Sequence, residues 1–170
     1  MMKNELFFAR KNETVILPTK NDENAGYDIY ANFEEDYMVI PPHTTKMIPT
    51  GLYSACSKDY YIQLLERGST GTKGIAQRCG VIDSGYRGEW FVPLTNTTSN
   101  LIVISKVDVD EIVENLCAAR NSVIIYPYSK AICQAAILPV PKMEVKEISV
   151  DEIMNIKSER GTGSLGSSGK

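Results

Sequence analysis

Histidine occurs once in this 170-residue chain, at His43, behind Pro41 and Pro42 in what reads as a surface turn. A metal centre built on several imidazoles is thereby excluded, and a Ser-His-Asp triad would have only that ring to use. The 4 cysteines, Cys56, Cys79, Cys117 and Cys133, lie far apart with no C-x-x-C pair, so a zinc knuckle and a dithiol redox motif are both absent. They are expected to be reduced, buried, small hydrophobes. No apolar run approaches the ~20 residues that cross a bilayer. The start, Met1 to Phe8, holds too short an apolar stretch for a secretory signal and Glu5 interrupts it, so the expectation is a cytoplasmic chain with no membrane partner. Acids outnumber Lys and Arg by 21 to 18, for a net charge of −3, which leaves no clustered basic face for nucleic acid. With 43% apolar and 23% charged residues, the chain suits one compact domain. Any catalysis must therefore run on carboxylates, hydroxyls and backbone amides, with or without a metal carried in by the substrate.

Strand-like runs dominate what is present. They fall at 6–10, 14–17, 37–40, 46–55, 60–66, 89–94, 101–105, 122–126 and 131–140, separated by turn residues, and predict an all-β sandwich, barrel or jelly roll. One segment departs from this. From Asp108 to Asn121, Val109, Ile112, Val113, Leu116 and Cys117 recur at helical spacing, with Asp108 or Asp110 to cap the start and Asn121 to end it. Such a helix either packs on its own sheet or docks another protein. After Val140 the chain turns polar; Ser149 and Glu152 can form a capping box, and the Gly/Ser-rich stretch from Arg160 to Lys170 reads as a mobile arm.

The 12 glycines are clustered. Gly68, Gly71, Gly74, Gly80, Gly85 and Gly88 share one short window, Gly161, Gly163, Gly166 and Gly169 crowd the end, and residues 89–160 have none. Other turns, such as Asn96 to Asn100, use Asn, Ser and Thr instead. Glycine placed this way fits loops that wrap a ligand.

The clusters carry a pattern. Ala25-Gly26-Tyr27-Asp28-Ile29-Tyr30-Ala31, Glu66-Arg67-Gly68-Ser69-Thr70-Gly71, Gly80-Val81-Ile82-Asp83-Ser84-Gly85-Tyr86-Arg87-Gly88-Glu89, Ile132-Cys133-Gln134 and the tail from Arg160 to Gly169 resemble, in order, the five motifs of the trimeric dUTPase family. The resemblance implies a jelly-roll-like β domain over 1–148, with an insertion at about 107–123 carrying the helix near 108–120, and a mobile arm over 149–170. It implies a homotrimer with active sites shared between subunits. It also implies Mg²⁺-dependent hydrolysis of dUTP to dUMP and pyrophosphate, which limits uracil in DNA and supplies dUMP for dTMP synthesis.

The resemblance also assigns roles. Asp83 matches the carboxylate that activates the attacking water, and Asp28 a second carboxylate that supports the site and the metal's hydration shell; no direct protein ligand to Mg²⁺ is implied, since the triphosphate holds it. Tyr86 matches the tyrosine beneath the deoxyribose that leaves no room for a 2′-hydroxyl. The stretch from Gln77 through Gly80, Val81 and Ile82 to Asp83 matches the hairpin that reads uracil. Arg67, Gly68, Ser69 and Gln134 would hold phosphate oxygens, Arg160 would reach the γ-phosphate, and Leu165, Gly166 and Ser167 belong to the lid.

Four positions depart from the family pattern. Glu66-Arg67-Gly68 replaces the usual Pro-Arg-Ser, Gln77 replaces Asn, Ala131 takes a Lys/Arg position, and Leu165 replaces the phenylalanine that stacks on uracil. Two other functions compete with this one. A related dCTP deaminase would need a glutamate where Pro93 stands, and a regulatory module would use the 108–120 helix to dock a protein partner.

Overall fold

In the computed structural model, residues 5–78 and 80–163 are described. The elements in chain order are β1 (Leu6–Arg10), β2 (Tyr27–Ile29), β3 (Tyr37–Ile40), β4 (Thr45–Pro49), β5 (Leu52–Cys56), β6 (Tyr60–Leu65), α1 (Gly68–Gly71), β7 (Ile75–Gln77), β8 (Val81–Ile82), β9 (Phe91–Asn96), β10 (Leu101–Ser105), α2 (Val109–Leu116), β11 (Val123–Pro127), β12 (Cys133–Pro139) and α3 (Val150–Met154). The strands form four sheets, ordered β1-β5, β11-β10-β3, β2-β12-β6-β8 and β4-β9-β7. This mostly-β, jelly-roll-type arrangement is the expected fold class. Among the described residues no helix is long and apolar enough to cross a membrane.

All four sheets contribute to one apolar core containing Ile29, Ile40, Ile48, Leu52, Ile62, Trp90, Leu94 and Ile104. Trp90 is its largest fully buried member; Phe8 meets the ring edge-on at 5.7 Å, and the indole N–H donates to Ser54 Oγ at 3.2 Å. A buried indole needs such a partner for its one donor. Asn96 is fully buried, and its amide N–H donates to the Ile40 and Asn100 carbonyls while Oδ1 accepts from the Thr98 amide and hydroxyl. One side chain thus holds the glycine-free turn that follows β9.

Several expected elements change. No strand forms at 14–17, where Val15 is buried but the backbone follows the Asn12–Thr14 turn, with Asn12 Oδ1 accepting from the Thr14 amide and hydroxyl. The run 46–55 is two strands, because Gly51 turns the chain at φ +66°, a conformation that favours glycine. The short pieces β2, α1 and β8 lie inside the glycine motifs, and β7 lies between the second and third. Asp108 caps α2 through Asp110 N and Glu111 N, but the helix ends at Leu116, before Asn121, because Cys117 adopts the left-handed conformation at φ +47°. Across the surrounding connection β10 and β11 are parallel, Leu101 opposite Val123 and Ser105 opposite Pro127. Parallel neighbours need a crossover, and α2 lies on it. Cys56 and Cys133 are buried as expected, whereas Cys117 is exposed; Cys79 lies outside the described residues.

The chain divides into two compact units, Met1–Val140 and Pro141–Lys170. Within the second, Ser149 and Glu152 form the expected capping box at the start of α3.

Candidate active site

Three of the glycine motifs meet on one sheet. Gln134 of β12 stands opposite Asp28 of β2 on one side and Leu65 of β6 on the other. The chain leaves β6 through Glu66 and Arg67 into the single turn of α1. Asp28 Oδ1 consequently receives two donors, Arg67 Nε at 3.3 Å and Gln134 Nε2 at 3.2 Å. Arg67 Nη1 donates further to the Ala131 carbonyl at 2.9 Å and to Ser69 Oγ at 3.3 Å. The closeness of β2 and β12 depends on Gly26, where a Cβ would sit 3.1 Å from that of Gln134. Asp28, Arg67, Ser69 and Gln134 thus form one cluster of a carboxylate, a guanidinium, a hydroxyl and an amide. Arg67 and Asp28 side chains keep 24% and 32% of their surface, so the cluster opens to solvent.

The third motif leaves the same sheet in the other direction. Gly80 remains near the cluster end, its carbonyl accepting from Leu64 N at 2.6 Å. Val81 pairs with Gln63 and Ile82 with Ile62, three residues before Leu65 and therefore about 10 Å back along β6. Asp83 follows Ile82 and points the chain farther from Asp28. Its carbonyl accepts from Tyr86 N at 3.0 Å, closing a turn. Tyr86 is 44% exposed and is not a core tyrosine. Val81 is exposed as well, and Ile82 faces the core. Beside this turn lies a cavity of about 530 Å³ lined by Cys56, Ser57, Lys58, Asp59, Ser84, Gly85 and Arg87. Burial pushes the Cys56 thiol above its ordinary pKa, with the Arg87 guanidinium acting the other way.

Two contacts were missed from sequence. Glu66 Oε1 accepts from Gln77 N at 2.8 Å, tying the second motif to the end of β7. The signal available was the acid standing where the family pattern has proline. The Ala131 carbonyl also serves as an acceptor, for Arg67 and for Tyr126 Oη at 2.6 Å, which no side-chain motif could announce. Arg160, in the second unit, donates through Nε to the Gly163 carbonyl at 2.9 Å. Leu165, Gly166 and Ser167 lie outside the described residues.

Among the described residues no group of three or more His, Cys, Asp or Glu side chains could cage a metal ion. The single carboxylate of Asp28, beside a guanidinium and a hydroxyl, suits an ion shared with substrate phosphates, because Mg²⁺ is commonly bound through one or two carboxylates plus phosphate oxygens.

The family model for dUTPase matches residues 12–109, more than half of the 170-residue chain and the stretch that holds the first three motifs. The chain belongs to the dUTPase family. Among its dUTPase relatives, the deoxyuridine 5′-triphosphate nucleotidohydrolase of Nautilia profundicola is 30% identical over 170 residues, covering 98% of this chain and 99% of that protein. The one from Leptospira interrogans is 35% identical over 95 residues, which are 54% of this chain and span 63% of that protein's length. A solved dUTPase of Staphylococcus bacteriophage 80alpha, carrying dUpNHpp, superposes with a TM-score of 0.73 at 21% identity over 98% of this chain and 99% of that one, a likeness of fold.

Proposed function

We infer that the protein hydrolyses dUTP to dUMP and pyrophosphate by attack of water on the α-phosphorus, and that it does so as a homotrimer. In a cell this reaction keeps uracil out of DNA and provides dUMP for dTMP synthesis. The observation that carries the reading is the convergence of motifs one, two and four on Asp28, Arg67, Ser69 and Gln134, in a chain of this family.

In this mechanism Arg67, Ser69 and Gln134 take phosphate oxygens, helped by the backbone N–H groups of Gly68 and Ser69 at the start of α1. Asp28 would support the hydration shell of a magnesium ion held by the substrate phosphates, and that ion when bound would neutralise the triphosphate. Asp83 orients the attacking water and accepts its proton; the bond from the α-phosphorus to the bridging oxygen breaks, and pyrophosphate leaves. Main-chain groups from Gln77 to Ile82 read uracil. Cytosine would leave buried donors and acceptors mispaired, which is costly. Tyr86 underlies the deoxyribose and blocks a 2′-hydroxyl. On the family pattern Arg160 is assigned to the γ-phosphate; Leu165, Gly166 and Ser167, of the same motif, lie outside the described residues. Sharing of sites between subunits is supported by the sheet register, which sets Asp83 apart from the Asp28 cluster within one protomer. A docking role for residues 108–120 has less behind it, because the helix buries Ile112 in its own domain.

Pyrophosphate release with dUTP, dTTP, dCTP and UTP tests the reading. A preference for dUTP is expected, and Asp83→Asn should lower turnover by about 10²- to 10⁴-fold, the usual worth of a general base. Full-speed turnover in that variant, or ammonia released from dCTP, would sink the assignment.

A further inference from the structure

The short loop carrying Tyr86 is braced in a way that the reaction alone does not require. Tyr86 Oη donates to the Glu89 carbonyl at 3.0 Å, three residues on. The phenol lies flat across Gly88, where a Cβ would stand 2.3 Å from Oη, 2.5 Å from Cζ and 2.9 Å from Cε2. Any side chain at 88 would therefore lift the ring. Glu89 is itself pinned through its carboxylate, which is only 11% exposed. Oε1 accepts from Gly51 N at 3.0 Å, and Oε2 meets Lys11 Nζ at 3.3 Å. Gly51 is the φ +66° turn between β4 and β5, and a side chain there would strike Val15 at 2.4 Å, so the anchor point is itself fixed. The next residue, Trp90, continues the attachment through its N–H to the Leu52 carbonyl at 2.9 Å.

We propose that Glu89 and Gly88 are positioning residues for sugar discrimination: together they hold the Tyr86 ring at the height that admits deoxyribose and refuses ribose. A half-exposed tyrosine free to change rotamer could swing aside for a 2′-hydroxyl. One whose hydroxyl is tied to a carbonyl held by a clamped carboxylate cannot. The inference rests on the dUTPase reading given above, and its test separates the two.

The readout is the ratio of kcat/KM for dUTP to that for UTP, which a role confined to folding would leave unchanged. Gly88→Ala and Glu89→Ala should each lower the ratio by about tenfold, mainly by raising kcat/KM for UTP. Glu89→Gln keeps an oxygen for Gly51 N and should restore most of the ratio. Tyr86→Phe removes only the hydroxyl of an exposed side chain, so it leaves the core intact. It should lower the ratio by about fivefold, the factor one neutral hydrogen bond is worth. If the unaltered protein hydrolyses dUTP and Tyr86→Phe and the soluble members of the other set keep its ratio, the positioning inference fails and the dUTPase reading stands. If the unaltered protein does not hydrolyse dUTP, both fail.

Discussion

Arg67 serves three acceptors at once: the Asp28 carboxylate, the Ala131 carbonyl and Ser69 Oγ. A planar fork with several fixed N–H vectors can do this, whereas an ammonium is a point donor. Arg67→Lys is accordingly expected to raise KM for dUTP by about tenfold or more, the scale of one hydrogen bond to a charged group, with a nearly unchanged melting temperature because the pair is partly solvent-exposed. Steady-state kinetics beside thermal unfolding checks this, and a lost fold with normal KM in the surviving protein would contradict it. Cys117 offers the opposite case, a residue whose importance is conformational. It closes α2 at φ +47° with its amide bonded to the Glu114 carbonyl, a backbone that suits glycine far better than a side chain. Cys117→Gly should stabilise the protein by about 1 kcal/mol in urea unfolding while dUTP turnover stays the same. Sequence alone marked Asp28, Arg67 and Gln134 as candidates because each sits inside a motif, and the fold brings the three together. Sequence did not reveal Gly88 as a seat for the Tyr86 ring, since the clash that forbids a side chain there exists only once the loop is folded.

Between β10 and β11, the parallel pairing makes α2 part of the route the chain must travel. Val123 lies level with Leu101, so the chain leaving Ser105 must return about 13 Å along the strand direction before pairing again. Deleting residues 108–120 leaves four residues, drawn nearly taut, to cover that return and the step to the neighbouring strand. It also removes Ile112 from full burial. The deletion should therefore abolish cooperative unfolding, or make the chain insoluble, instead of silencing one interaction and sparing catalysis. A soluble deletion variant with wild-type dUTP turnover would show that the helix is dispensable to the fold. The helical period was legible because an amphipathic stripe is a local signal; strand direction is not local, and nothing within the two β runs announces that they pair in parallel. The same limit explains the reading of 46–55 as one strand. Its apolar residues continue past Gly51, and only the return of β5 to pair with β1 reveals the break. At 14–17 apolar residues suggested a strand, but Val15 is buried as a plug beside Gly51, with no ladder partner for its neighbours.

At the scale of the whole molecule, one protomer carries both halves of the proposed chemistry without joining them. The cluster of Asp28, Arg67, Ser69 and Gln134 sits at the Leu65 end of β6, and Asp83 leaves β8 in the direction of Tyr61. On the β4-β9 pair, Met47 and Phe91 lie on the same face and are exposed, 54% and 38%, which provides apolar surface for a neighbouring copy. If a site takes its cluster from one subunit and its water-activating acid from another, two inactive variants can repair each other. Asp83→Asn keeps a sound cluster, and Arg67→Ala keeps a sound acid. Refolding or co-expressing them in equal amounts distributes subunits at random, so about one site in four should combine the intact half of each and activity should recover to about a quarter of normal. Sedimentation must show that mixed trimers form, and each variant assembled alone must remain inactive. Mixed trimers with no recovered turnover would place the complete site within a single chain, in which case the loop bearing Asp83 would have to move against the register that β6 and β8 now share.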